Sequence, residues 1–123
     1  MEFLVVGFGG FFGSLARYLV YLCEQSLSTN RFPFGTLLIN VAGCFCAGLL
    51  LAVVEKSLPV HRHLILLGSM GFIGSFTTFS TFGVETFHLI RSGQVALGLA
   101  NVGANLVLGF LAIWFGKVLL LNS

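Results

Sequence analysis

The run Gly71-Phe72-Ile73-Gly74-Ser75-Phe76-Thr77-Thr78-Phe79-Ser80-Thr81-Phe82 sets glycines, hydroxyls and phenyl rings inside an otherwise apolar segment. None of these side chains is an acid, a base or a strong nucleophile. Their chemistry is solvation: hydroxyls and freed backbone carbonyls can replace water around a small ion. Non-helical backbone at membrane depth is tolerated only where protein buries it or where it lines a cavity. Interrupted helices near the midplane are also where transporters hold ions and substrates. This stretch alone reads as an ion or solute pathway.

A few other polar residues interrupt the apolar segments. Asn40 lies one turn from Thr36, and Asn101 and Asn105 share a helix face at i, i+4 spacing. Glu85 and His88 are three apart, with Thr81 one turn before Glu85, and Arg17 lies past the middle of the first segment. Ionisable groups within spans are costly and mark a function, a partner or a snorkelling end. Arg17 fits a snorkelling or interhelical role as well as a functional one. Asn40 fits helix–helix bonding as well as a pathway. Glu85 reads as vestibular or buried, and His88 as interfacial.

Composition dictates the elements that position these residues. Of 123 residues, 57% are hydrophobic and 8% charged, against roughly 25% charged in globular domains; mean hydropathy is +1.03. Such a chain cannot cover a water-soluble surface, which excludes a soluble enzyme, and no Ser/His/Asp or Cys/His constellation is present. A span needs about 20 apolar residues. Residues 32–54, 63–84 and 92–116 run without an Asp, Glu, Lys or Arg, and Phe3 to Cys23 is broken only by Arg17. The expected architecture is an all-α membrane protein, one domain over 1–123, with helices at about 3–23, 35–54, 64–90 and 95–121. The third helix is expected to break at Gly71 to Thr78. Short loops join them: Glu24 to Phe34, Glu55 to Arg62, and Arg91 to Gln94. Glu2 near the start and the lack of a small-residue cleavage pattern argue against a signal peptide.

Charge says little about orientation. With four helices, Lys56, Arg62 and Lys117 share one side and Arg31 and Arg91 the other, while Arg17 can even the balance. Insertion both ways, with assembly as an antiparallel dimer, follows as one reading; a weakly biased single orientation is the other. Four packed helices also leave no room for a pore, so an oligomer is expected. Gly9 and Gly13, like Gly43 and Ala47, have the small-x-x-x-small spacing that lets helices approach. A net charge of +2 is too small to imply nucleic acid. Cys23, Cys44 and Cys46 have no disulfide or metal-ligand pattern and read as small core residues.

Taken together, Gly9-Gly10-Phe11-Phe12-Gly13-Ser14-Leu15-Ala16-Arg17-Tyr18, Gly35-Thr36-Leu37-Leu38-Ile39-Asn40 and the Gly71 to Phe82 run resemble the Fluc (CrcB) fluoride channels over nearly the whole chain. The resemblance implies a small four-helix protein of the cell membrane that inserts in dual topology. It would pair as an antiparallel homodimer and export fluoride passively while excluding chloride. It further implies that backbone carbonyls of Gly74 and Thr77 hold a central, non-transported sodium ion, as hard oxygen ligands suit a small hard cation. Asn40 would be the pore asparagine, whose amide N–H groups can solvate an anion. Phe79 and Phe82 would line each pore with the positive edges of their rings. Ser80 and Thr81 would form a polar track beside them, and Arg17 would be the arginine of the first helix.

The chain departs from the family pattern in two places. Ser75 stands where many members have a glycine, and Gly83 where a serine is common. Small multidrug or cation exporters of similar length and topology are the alternative. They need a carboxylate embedded in helix one, and here the nearest acids are Glu2 and Glu24, one at each end.

Overall fold

The computed structural model describes residues 1–27 and 31–123. Helix α1 covers Glu2–Leu27, α2 Phe34–Glu55 and α6 Val95–Leu121. Between α2 and α6 the chain runs through α3 (Arg62–Leu66), a π-helical stretch (Leu67–Ile73), α4 (Gly74–Phe76) and α5 (Phe79–Arg91). Counting Arg62–Arg91 as one span, four helical runs among the described residues are long and apolar enough to cross a membrane. The loop read from Glu24 to Phe34 lies partly outside the described residues; within them, α1 continues to Leu27.

The interruption of the third span is real but is not made by its glycines. Gly71 lies within the π stretch, and Gly74 opens α4 with φ −61°, an ordinary helical value. The backbone leaves the helix at Thr77 (ψ 159°) and Thr78 (φ −151°, ψ 113°), both extended. Any residue can adopt those angles, so Ser75 in place of a glycine costs the break nothing.

The glycines act instead by letting backbones meet. A Cβ added at Gly9 would collide with the Leu67 carbonyl, and one at Gly13 with the Phe72 carbonyl. The Gly-x-x-x-Gly pair thus seats α1 against the π stretch of its own chain. Gly43 makes room for the Thr77 methyl, which brings α2 against the break. Gly48 and Gly116 perform the same service between α2 and α6, the most extensive helix pair. We expect Gly13→Ala to destabilise the protein by about 1–3 kcal/mol, as overpacking does. Thermal unfolding in detergent measures it; an unchanged midpoint would show that α1 does not close on the π stretch.

The fully buried side chains are few and partly polar: Ile39, Ala52, Thr36 and Asn101 are all 0% exposed. Outward-facing apolar residues cover the rest, as a lipid-facing surface requires. Ion pairs Arg62–Glu2 (3.1 Å) and Lys117–Glu55 (2.8 Å) gather the N-terminus, the α2–α3 loop and the end of α6 at one end of the bundle. The opposite turn after α5 uses Gly93 at φ +82°. Cys44 and Cys46 are half-buried, but Cys23 is exposed on α1 and is not a core residue.

Candidate functional site

Hydrogen bonds explain why the helix breaks where it does. In a continuous helix the Thr78 N–H would donate to the Gly74 carbonyl, and the Thr81 N–H to that of Thr77. Here Thr78 N–H donates to Asn40 Oδ1 at 3.0 Å, and Thr81 N–H donates to Thr78 Oγ1 at 3.2 Å. Thr78 is therefore the N-cap of α5, a role threonine fills well. Its hydroxyl in turn donates to Thr81 Oγ1 at 3.0 Å, and Ser80 Oγ lies 3.4 Å away. The break releases the carbonyls of Gly74, Ser75, Phe76 and Thr77 from helical pairing; Gly74 and Thr77 are the two expected to face a cation. Gly74 is exposed.

Arg17 finds its partner at the same place. Its Nη1 donates to the Thr77 carbonyl across 3.4 Å, a long bond from α1 to the break. The arginine is half-buried and turned towards the bundle rather than out to an interface.

Asn40 is bound on both edges of its amide. Its Oδ1 accepts from Thr78 N–H, while Nδ2 donates to Thr78 O at 3.3 Å and to Asn105 Oδ1 at 2.9 Å. The side chain pairs with Thr78 much as a neighbouring strand would, which holds that residue extended. Asn105 Nδ2 donates to Asn101 O and Oδ1, both at 3.0 Å. Asn101 Nδ2 then donates to Thr86 Oγ1 at 2.9 Å, whose hydroxyl donates to Phe82 O at 2.8 Å.

Phe79 and Phe82 sit one turn apart on α5, their ring centroids 5.6 Å apart and their planes at 50°. Phe79 is 82% exposed, so its ring projects from the single chain. An open cavity of about 280 Å³ is bordered by Asn40, Gly43, Cys44, Ile73, Thr77 and Phe79. Of the sequence-derived site residues, Asn40, Thr77 and Phe79 thus meet on one cavity. Phe82 stands against Phe79, Ser80 and Thr81 gather about the Thr78 hydroxyl, and Gly74 lies on the other side of the break.

A second polar cluster joins three helices. Thr36 Oγ1 donates to Glu85 Oε1 at 2.8 Å, which leaves Tyr21 to donate its hydroxyl proton to Thr36 at 3.1 Å. Glu85 Oε2 is buried without a hydrogen-bond partner among the described residues. Glu85 is half-buried and bonded to α2 through one oxygen, and His88 is exposed. Glu24 Oε1 accepts from the Gly35 N–H at 2.8 Å.

The sequence reading missed Thr78 as a cap, the burial of Asn101 and Thr86, and Tyr21 as a partner of Thr36. The signals were present for two of them: Thr78-x-x-Thr81 has N-cap spacing, and Asn101 and Asn105 share a face. Among the described residues, no three His, Cys, Asp or Glu side chains are grouped to hold a metal ion. The arrangement offers amides, hydroxyls, ring edges and freed carbonyls for solvating an ion.

Comparison with known proteins agrees with this chemistry. The family model described as CrcB-like protein, Camphor Resistance (CrcB), matches residues 4–117. A protein of Solibacter usitatus named fluoride-specific ion channel FluC is 43% identical over 119 residues, covering 97% of this chain and 98% of its own. Proteins of the same name from Acidobacterium capsulatum and Maridesulfovibrio salexigens are 42% and 41% identical over 118 residues, each covering 96% of this chain and 94% of its own. The matched residues 4–117 reach into all four membrane-spanning runs.

Proposed function

The chain belongs to the CrcB family, and on that premise we propose that it is a fluoride-selective channel which lets fluoride leave the cell passively. It is no enzyme. The observation that carries the reading is the cavity at the broken third span, where Asn40, Thr77 and Phe79 converge without an acid or base among them. Ring edges, hydroxyls and an amide give a dehydrated anion weak, positive-ended contacts. Closed by a second chain, such a path would be narrow and would favour the smallest halide, with chloride excluded.

The working unit is an antiparallel homodimer of subunits inserted in both orientations. The near-even division of Lys and Arg supports it, as does a cavity that one chain walls on one side only, with Phe79 left projecting. A structural sodium ion at the centre fits the carbonyls of Gly74 and Thr77, which the break frees from helical pairing. Two such carbonyls from each chain would offer hard oxygen donors. The bond from Arg17 occupies one lone pair of the Thr77 carbonyl and leaves the other. When bound, the ion supplies positive charge between the chains. The exporter alternative finds no support: Glu2 is tied to Arg62, and Glu24 to the Gly35 amide.

Efflux from liposomes holding the purified protein tests the reading, with fluoride or chloride inside and with sodium or a large organic cation as the counter-ion. We expect fluoride release without chloride release, and lost flux or lower thermal stability without sodium. Silence towards both halides would end the channel reading. Fluoride accumulation driven by a sodium gradient would show a coupled transporter instead.

A further inference from the structure

We propose that Asn105 is a positioning residue of this pathway, which with Asn101 and Thr86 fixes the edge that Asn40 turns to the helix break. The proposal rests on the channel reading above. Its basis is the direction of one chain of hydrogen bonds. Asn40 Nδ2 donates to Asn105 Oδ1, Asn105 Nδ2 to Asn101 Oδ1, Asn101 Nδ2 to Thr86 Oγ1, and Thr86 Oγ1 to the Phe82 carbonyl. A backbone carbonyl can only accept and a backbone N–H can only donate. Thr78 N–H therefore fixes the direction at Asn40, the Thr86 bond to Phe82 O agrees with it from the other end, and each amide between has one orientation that satisfies both neighbours.

Burial removes the alternative of water. Asn101 is 0% exposed and Thr86 9%, so at that end an amide turned over would face a donor with a donor and leave a buried group unpaired. Chains of this kind also strengthen one another along their length. The two ends matter for function. One end is Asn40, bound to Thr78 at the break, and the other is Phe82, one turn into α5 and against Phe79. The ladder thus sets the ring pair in register with the break, using side chains from α2, α6 and α5.

It also limits what Asn40 can give to an anion. Its N–H towards Asn105 is committed at 2.9 Å, whereas its other N–H makes only a 3.3 Å bond to Thr78 O. The second N–H is the one a passing fluoride can take without breaking the chain. Asn105 keeps that choice fixed and need not touch the ion itself.

Three variants and the unmodified protein, in the same liposomes, test this. Asn105→Leu keeps the bulk and cannot accept from Asn40. Thr86→Val is nearly isosteric and interrupts the ladder two links away, while Thr86→Ser restores the hydroxyl. We expect fluoride flux per assembled protein to fall at least tenfold in Asn105→Leu and Thr86→Val, and to return towards normal in Thr86→Ser. The double variant Asn105→Leu/Thr86→Val should lose no more than the worse single one, because both cut one chain. Losses that multiply would show two separate roles and overturn the proposal. So would lower thermal stability with flux per assembled protein unchanged in Thr86→Val, which remains informative if Asn105→Leu does not assemble. Silence of the unmodified protein would instead sink the channel reading, and the positioning role with it.

Discussion

Replacing Asn40 by aspartate is expected to abolish fluoride flux in protein that still assembles. Asn40 donates from Nδ2 to Thr78 O and to Asn105 Oδ1. An ionised carboxylate has no donor, so it would set oxygen against oxygen at both contacts. Only the bond from Thr78 N–H to the retained oxygen survives. The new charge also stands on the cavity shared with Thr77 and Phe79. Two like charges about 4 Å apart repel by roughly 4 kcal/mol at an effective dielectric constant of about 20, close to a thousandfold in occupancy by the anion. Efflux per assembled protein, after gel filtration, is the measurement. Normal conduction by Asn40→Asp would remove Asn40 from the pathway and leave it only the task of holding Thr78.

That double task shows which parts of the site a sequence can reveal. The four spans were legible because the charged residues that bound them, Glu24, Arg31, Glu55, Arg62, Arg91 and Lys117, are so few; the ends of α2 and α6 fall within a residue of the reading. The interruption of the third span was legible from its hydroxyls and glycines. The break falls at Thr77 and Thr78, within the expected Gly71 to Thr78; what makes it there was not legible. The break is made by Asn40, 38 residues earlier, capturing the Thr78 N–H, and by the Thr78 hydroxyl capturing that of Thr81. Only the second is local enough to be read as a capping pattern. The glycines drew attention to the correct segment for a different reason, since Gly71 lies where α1 closes on the π stretch at Gly9.

Partners across helices were beyond reach in the same way. Asn101 and Asn105 declared a shared face, but not that Thr86 and Asn40 wait at its two ends. Arg17 declared a cost within the membrane, but not the Thr77 carbonyl that offsets it. Local spacing gave the elements and the polar inventory. The connections depend on how α2 and α6 pack, which rests on glycines whose neighbours no periodicity names.

Replacing Phe79 by isoleucine should reduce fluoride flux at least tenfold and leave thermal stability nearly unchanged. The ring is 82% exposed in the single chain, so its loss removes little packing within the subunit. It nevertheless borders the cavity beside Asn40 and Thr77, with its centroid 5.6 Å from that of Phe82. Isoleucine keeps much of the bulk but has no ring quadrupole, hence no positive edge to offer an anion. Fourteen phenylalanines make ordinary packing a serious rival for any one of them. The two roles separate in one pair of measurements, efflux per assembled protein and the thermal midpoint. A lowered midpoint or lost assembly, with flux per remaining assembled protein intact, would assign Phe79 to packing and leave the pathway without one of its walls.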